Sequence, residues 1–337
     1  MTQNPSFGWI CAFWSAIVIA ASTLLFNCGG SSSSSPEGGS NCNFQTGGNC
    51  SMQVNGVTRT FILHVPSNFQ SGTSGLIIAL HGGGGTGQQM ENVTHLSDTS
   101  DKVGVAVAYP DGLANPSGAT TWNGYFNFTF GANPPDDSGF LRQLILSLES
   151  SLHVNPKRVY VTGISAGGYM THRAGIDLSD LVAAIGLVEG SLDVQQVGGT
   201  QVPPPARGPV SVIMLHGDKD QVIHYCGTTT TNVVVTSEDQ TFDYWWQTSA
   251  NSCSPPSPAG SLCTGFLGNP TSLFFKDATG CQGGAEVRFY RLFNGTHSWY
   301  SSQLTPGNAV YNPDFNSTTG TTTNDILWNF FASHAKP

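Results

Sequence analysis

The feature that most restricts the fold of this chain is a series of short, unbroken apolar runs separated by segments of helical character. The runs are Leu76-Ile77-Ile78-Ala79-Leu80, Val103 to Tyr109, Val159-Tyr160-Val161, Leu181 to Val188, Val210 to Leu215 and Val287 to Leu292. A strand with one wet face alternates apolar and polar residues, so runs without alternation fit strands covered on both faces, as in a parallel sheet. Between them, Ser138 to Leu152 with Asp137 as N-cap, Ala166 to Ile176, Glu238 to Ala250 and Asn324 to His334 read as helices. Strands alternating with helices predict an α/β fold, a doubly wound, mostly parallel sheet with helices on both faces. Ahead of them, Met52 to Pro66 alternates about Asn55-Gly56, which predicts a β-hairpin at the antiparallel edge of the sheet. No internal repeat or later shift in composition divides residues 41–337, so they are expected to form one domain.

The start of the chain is different. No Asp, Glu, Lys or Arg precedes Glu37, and Phe7 to Phe26 is a nearly unbroken apolar stretch, long enough for a signal sequence or one membrane span. Residues 1–28 are therefore expected to direct export, as a signal peptide or, since a basic n-region is missing, as an uncleaved anchor. Leu25-Phe26-Asn27-Cys28 before Gly29-Gly30 and five serines is similar to a bacterial lipoprotein lipobox, although Asn27 stands where a small residue is usual. Lipidation of Cys28 would tether the protein to a membrane. Residues 29–40 read as a flexible Gly/Ser tether. Beyond it lie Cys42, Cys50, Cys226, Cys253, Cys263 and Cys281, an even number that in an exported chain suggests disulfides. Cys42 with Cys50 is the most local pairing, and Cys253–Cys281 and Cys226–Cys263 are favoured for the rest. With 12 Lys and Arg against 21 Asp and Glu, and no basic run, a nucleic acid partner is not expected.

Gly163-Ile164-Ser165-Ala166-Gly167 matches the G-x-S-x-G elbow, a turn that lifts a serine hydroxyl above the edge of a sheet. Its context agrees with that reading, because Arg158 to Thr162 is a strand and Ala166 to Met170 opens a helix. These features predict the α/β-hydrolase fold with Ser165 as nucleophile. A serine needs a base held by a carboxylate, in this fold in the order Ser, Asp, His. Asp220, with Asp218 as the alternative, follows the buried run Val210 to Leu215, and His297 follows the last strand. His224 is too close to Asp220 in sequence, and His334 lies near the C-terminus. An oxyanion hole completes the set: the Ala166 N–H and, from Leu80-His81-Gly82-Gly83-Gly84-Gly85, the N–H of Gly83 or alternatively Gly84. His81 reads as a hydrogen-bonder that shapes this loop. A nucleotide-binding glycine motif is missing, and no metal or cofactor is expected. Asp136-Asp137 reads as a helix cap and Trp245-Trp246 as packing. Trp122 and the Trp299-Tyr300 pair, in loops at the catalytic edge, are candidate substrate contacts.

Together these segments resemble the extracellular polyhydroxybutyrate depolymerase and feruloyl esterase family, from about Met52 to the C-terminus. The resemblance lies in Leu80-His81-Gly82, Ala108-Tyr109-Pro110-Asp111-Gly112, Thr121-Trp122-Asn123, Asp136 to Leu141, Arg158 to Met170, His216-Gly217 with Asp220, and Gly295 to Trp299. It implies a triad of Ser165, Asp220 and His297, and it also suggests the Cys253–Cys281 pairing. The chain departs from the family at Phe293-Asn294-Gly295, at Tyr300 and in a Pro-rich loop, Gln195 to Gly208, places where leaving-group selectivity is decided. The expected activity is that of a secreted serine carboxylic ester hydrolase acting on hydroxyalkanoate, hydroxycinnamate or related carbohydrate-linked esters. As no polymer-binding module follows in this sequence, soluble oligomers and small aryl esters are the expected substrates. A peptidase on the same fold and a non-catalytic surface lipoprotein are the alternatives.

Overall fold

The computed structural model of the chain describes residues 41–124, 130, 133–192, 202–229, 234–263, 274–300 and 322–337. The expected signal or anchor, Cys28, the tether and residues 195–201 of the Pro-rich loop lie outside the described residues. Among the described residues the main sheet has nine strands: β1 (Gly48–Val54), β2 (Val57–His64), β3 (Leu76–Leu80), β4 (Ala106–Pro110), β5 (Val159–Ile164), β6 (Ala184–Val188), β7 (Ser211–Gly217), β8 (Phe274–Ala278) and β9 (Val287–Leu292). Their order is β1-β2-β4-β3-β5-β6-β7-β9-β8. The strands from β4 to β9 in that order run parallel, and β1, β2 and β8 are antiparallel at the edges. The β1–β2 turn is Asn55-Gly56, both at positive φ (51° and 79°), which matches the twist of the flanking strands.

Six helices are described: α1 (Gly87–Thr94), α2 (Leu96–Val103), α3 (Asp137–Leu152), α4 (Ala166–Asp177), α5 (Glu238–Gln247) and α6 (Thr323–Ser333). Successive residues of the central strands feed two apolar layers. Ile78 and Leu80 belong with Phe140, Leu144, Met170 and Trp245 of α3, α4 and α5, whereas Ile77 and Ala79 belong with Met90, Leu96, Leu327 and Phe331 of α1, α2 and α6. That two-sided burial explains the unalternated runs. Each large side chain buried this way stabilises the fold by about 1.5–3 kcal/mol. Among the described residues no helix is long and apolar enough to cross a membrane.

Several boundaries differ from expectation. Val103 ends α2, and the chain turns at Gly104 (φ 75°) before β4. α1 and α2 are mostly polar, and β8 carries Lys276 and Asp277, so none of the three has a clear apolar pattern. The N-cap of α3 is Asp136, whose side chain accepts from Gly139 N at 2.8 Å. Asp137 points inward instead and pairs with Arg59 of β2 at 2.8 Å, both residues being buried. Disulfides join Cys42 to Cys50 and Cys253 to Cys281. The expected Cys226–Cys263 bond is not formed: both are thiols, and Cys263 donates to the Tyr225 carbonyl at 3.7 Å.

Candidate active site

Ser165 sits between β5 and α4 with φ 57° and ψ −122°, a backbone conformation that a non-glycine residue rarely adopts. The neighbours make the turn possible. A Cβ at Gly163 would lie 2.5 Å from the Gly167 carbonyl oxygen, and one at Gly167 would lie 2.2 Å from the Leu80 carbonyl oxygen. The Ser165 N–H donates to Val188 O at 3.1 Å, which fixes the turn against β6. Ser165 remains partly exposed.

The loop after β3 is shaped by His81. Its Nδ1–H donates to Gly82 O at 2.7 Å and its Nε2 accepts from Gly112 N at 2.9 Å, so the geometry requires the neutral ring. Burial also pushes the His81 pKa down, in agreement. Gly84 N donates to Thr120 O at 2.7 Å, which removes it as the alternative oxyanion donor. The N–H groups of Gly83 and Ala166 have no partner among the described residues. The two residues adjoin, since a Cβ at Gly83 would lie 3.8 Å from that of Ala166. Ala166 is the first residue of α4, where backbone N–H groups are unpaired and favour negative charge.

Beyond β7, Asp218 and Asp220 divide their roles. Asp218 accepts from Arg291 at 2.8 Å and from Asn294 N at 2.8 Å, so it ties the loop after β7 to the end of β9. Asp220 accepts from Val222 N (2.7 Å) and Ile223 N (3.0 Å) through Oδ1, and its Oδ2 meets His297 Nδ1 at 2.7 Å. Burial opposes the Asp220 charge, but hydrogen bonds from His216, His297 and the two amides outweigh it and hold the carboxyl well below its usual range. With Nδ1 engaged, Nε2 of His297 is the free ring nitrogen. Among the described residues no hydrogen bond joins His297 to Ser165; such contacts tighten when substrate is bound.

The loop that carries His297 is fixed by Tyr300, which the sequence marks as a candidate substrate contact and as a departure from the family pattern. The Tyr300 hydroxyl accepts from Thr296 N at 2.6 Å and donates to Thr296 O at 2.7 Å. The two tryptophans expected to touch substrate are packed away instead. Trp122 is 2% exposed and donates to His81 O at 2.9 Å; Trp299 is 6% exposed and donates to Asn324 Oδ1 at 2.9 Å. Each indole N–H found an acceptor inside the fold, so both rings buttress loops that carry candidate residues. Ser165, Asp220 and His297 thus follow the carboxyl ends of the parallel strands β5, β7 and β9, with Glu189 and His216 buried beside Asp220. The arrangement can activate a hydroxyl and hold an oxyanion.

Residues 60–197 match the family model described as esterase PHB depolymerase. Over 184 residues the chain is 32% identical to NocK of Nocardia uniformis subsp. tsuyamanensis, whose name calls it an esterase; the match covers 52% of this chain and 49% of NocK. It is 31% identical over 170 residues to feruloyl esterase B of Piromyces equi, covering 50% of this chain and 30% of that protein. The chain therefore spans half or less of the length of these curated relatives. In fold it is similar to an acetyl xylan esterase from Aspergillus awamori, with a TM-score of 0.53 and 14% identity over 88% of this chain and 98% of that one.

Proposed function

We propose that this chain, which carries an esterase PHB depolymerase domain over residues 60–197, is an exported serine carboxylic ester hydrolase. The observation that carries the reading is the 2.7 Å contact between Asp220 and His297 at the sheet edge where the Ser165 elbow opens. His297 takes the Ser165 proton as Oγ attacks the ester carbonyl, and the Gly83 and Ala166 N–H groups receive the developing oxyanion. His297 then returns the proton to the leaving alcohol. Water, activated by the same imidazole, releases the acyl group and regenerates Ser165. Asp220 stays ionised and fixes the ring tautomer. Two disulfides support export to an oxidising compartment. The likeness to feruloyl esterase B favours hydroxycinnamate and related carbohydrate-linked esters, and the family description favours hydroxyalkanoate oligomers.

The test is initial-rate hydrolysis by the full chain of methyl ferulate, soluble hydroxybutyrate oligomers and p-nitrophenyl acetate, with Ser165→Ala as control. Faster turnover of ferulate or of the oligomers than of acetate assigns the acyl class. Hydrolysis that persists in Ser165→Ala, or faster cleavage of peptide anilides than of the matching esters, refutes the reading.

A further inference from the structure

Asp220 touches a buried group of titratable residues that the reaction above does not use. Glu189, His216 and Glu238 are each exposed by 1% or less. Glu189 directly follows β6 at φ 49°, in the left-handed region that non-glycine residues avoid. Both its carboxyl oxygens face the Gly217 N–H, at 3.1 and 3.0 Å. His216 Nε2 lies 2.9 Å from the Ile223 carbonyl oxygen, 3.3 Å from Asp220 Oδ2 and 3.4 Å from Glu189 Oε2. Its Nδ1 lies 2.9 Å from Glu238 Oε1, which also accepts from the Ser191 hydroxyl at 2.7 Å.

The nearest atom to Nε2 is a carbonyl oxygen and the nearest to Nδ1 a carboxyl oxygen, so both ring nitrogens carry hydrogen and the ring is an imidazolium. Burial opposes that charge, but the charge of Glu238 and the hydrogen bonds to Asp220 and Glu238 push the His216 pKa up. The ring therefore serves as a donor and has no lone pair for a metal. Carboxyl oxygens of Glu189 and Asp220 lie within 4.8 Å of one another in one dry site, where one proton must be retained. Asp220 receives two amide N–H groups and two imidazoles, whereas Glu189 faces one amide and a longer contact to His216. The proton belongs to Glu189, and burial together with the Asp220 charge raises its pKa accordingly. The other titratable groups facing the cluster are the phenols of Tyr225, edge-on to His216 with Arg291 over its ring, and Tyr300; burial pushes both up, so they stay neutral.

We propose that Glu189, as a neutral carboxylic acid, and His216, as an imidazolium, are positioning residues that clamp Asp220 in the orientation that holds His297. The proposal rests on the esterase reading and adds to it the parts that orient the orienting carboxylate. Glu189 donates its hydroxyl hydrogen to Asp220 and accepts from Gly217 N, so it links the ends of β6 and β7 to the triad. His216 shares the Asp220 charge and leaves less of it to act on His297.

Glu189→Gln and Glu189→Leu in the full chain test this. The amide of glutamine offers the same donor and acceptor without a charge, so kcat is expected within about threefold of wild type and the acid limb of kcat/KM unmoved. Leucine removes the donor, so kcat is expected to fall at least about tenfold at nearly constant KM. The acid limb is expected to move to higher pH, because the Asp220 charge then bears more fully on His297. An acid limb displaced downward by about one pH unit in Glu189→Gln means that Glu189 is an anion and overturns the proposal. So does a folded Glu189→Leu protein with wild-type kcat and pH profile. If the leucine variant is too unstable, the His297 titration followed by imidazole NMR in Ser165→Ala and in Ser165→Ala/Glu189→Gln decides: coincident curves support the neutral acid and a downward shift overturns it. That titration needs no turnover, whereas absence of Ser165-dependent hydrolysis in the wild type refutes the esterase reading alone.

Discussion

Replacing Tyr300 by phenylalanine keeps the ring and removes one oxygen that makes two hydrogen bonds, from Thr296 N at 2.6 Å and to Thr296 O at 2.7 Å. Tyr300 is 4% exposed, so the ring keeps its packing in the variant. Thr296 is exposed, so water can reach its freed N–H and carbonyl and the full desolvation penalty does not apply. The net loss is then about 1 kcal/mol per bond, or about 2 kcal/mol in all, and a thermal midpoint lower by roughly 3 °C for a domain of this size. The effect on turnover is expected to be larger than stability alone explains. Thr296 precedes His297, and the Tyr300 clamp fixes that stretch relative to Asp220. A displacement of about 1 Å in a catalytic group costs on the order of 100-fold, so kcat should drop by about 10- to 100-fold with little change in KM. The assay is steady-state hydrolysis of p-nitrophenyl acetate at a temperature where circular dichroism finds both proteins folded. A variant with wild-type kcat and a lowered midpoint refutes the positioning argument and leaves Tyr300 a packing residue.

Arg59→Met leaves Asp137 buried without its cation and is expected to lower unfolding stability by about 3–5 kcal/mol, read from the urea midpoint at unchanged m; Arg59→Met/Asp137→Leu should recover most of it. A Cβ on Gly167 would sit 2.2 Å from Leu80 O and 2.7 Å from His81 O, so Gly167→Ala forces the elbow away from the oxyanion loop; a stability loss of roughly 1–3 kcal/mol and a loss of kcat beyond it are expected. His172 is buried, accepts from Trp245 Nε1 at 2.9 Å and is pushed down by burial from 6.5 to about 3. A folded-state value below the unfolded one gives stability that is present above about pH 6.5 and lost as pH falls toward 3. Between pH 6 and 4 the slope of unfolding free energy against pH should therefore be smaller in His172→Gln by up to about 1.4 kcal/mol per pH unit.

The fold was legible because its main cause, burial on both faces of a parallel sheet, leaves unbroken apolar runs in the sequence. The elbow was legible for a similar reason, since strand, small residues and helix must be consecutive. The choice between Asp218 and Asp220 was narrower: both follow the same strand, and only their partners in space, Arg291 for Asp218 and His297 for Asp220, separate them. Trp122 and Trp299 read as substrate contacts because they lie in loops beside the candidate site, yet each indole found a buried acceptor. Arg59 could have been identified, because it alternates with Phe61 and Leu63 on the inward face of β2. Glu189 could not: a single glutamate after a strand looks like loop, and only the pairing of β6 with β7 brings it to Asp220. Side chains that act by meeting across strands leave no local pattern.

The buried charges nevertheless follow one rule. The chain has only 10% charged residues, yet among the described residues two buried ionic groups stand behind the two halves of the candidate site. The Arg59–Asp137 pair reaches Asp111 O at 3.0 Å through Arg59 and Asn123 N at 2.8 Å through Asp137. Asp111 in turn accepts from Gly87 N at 2.7 Å, and Gly112 holds His81. That group therefore supports the loop after β3, as the His216 group supports Asp220. Burying an ion pair is a poor way to gain stability, because desolvation opposes the attraction. Apolar packing, however, is non-directional and cannot aim a backbone N–H or a carboxylate. If stability were the reason for these groups, apolar replacements of matching volume would be neutral in both assays. The geometry instead requires that such replacements keep the fold and lose turnover, since the loops they leave behind are packed but no longer aimed.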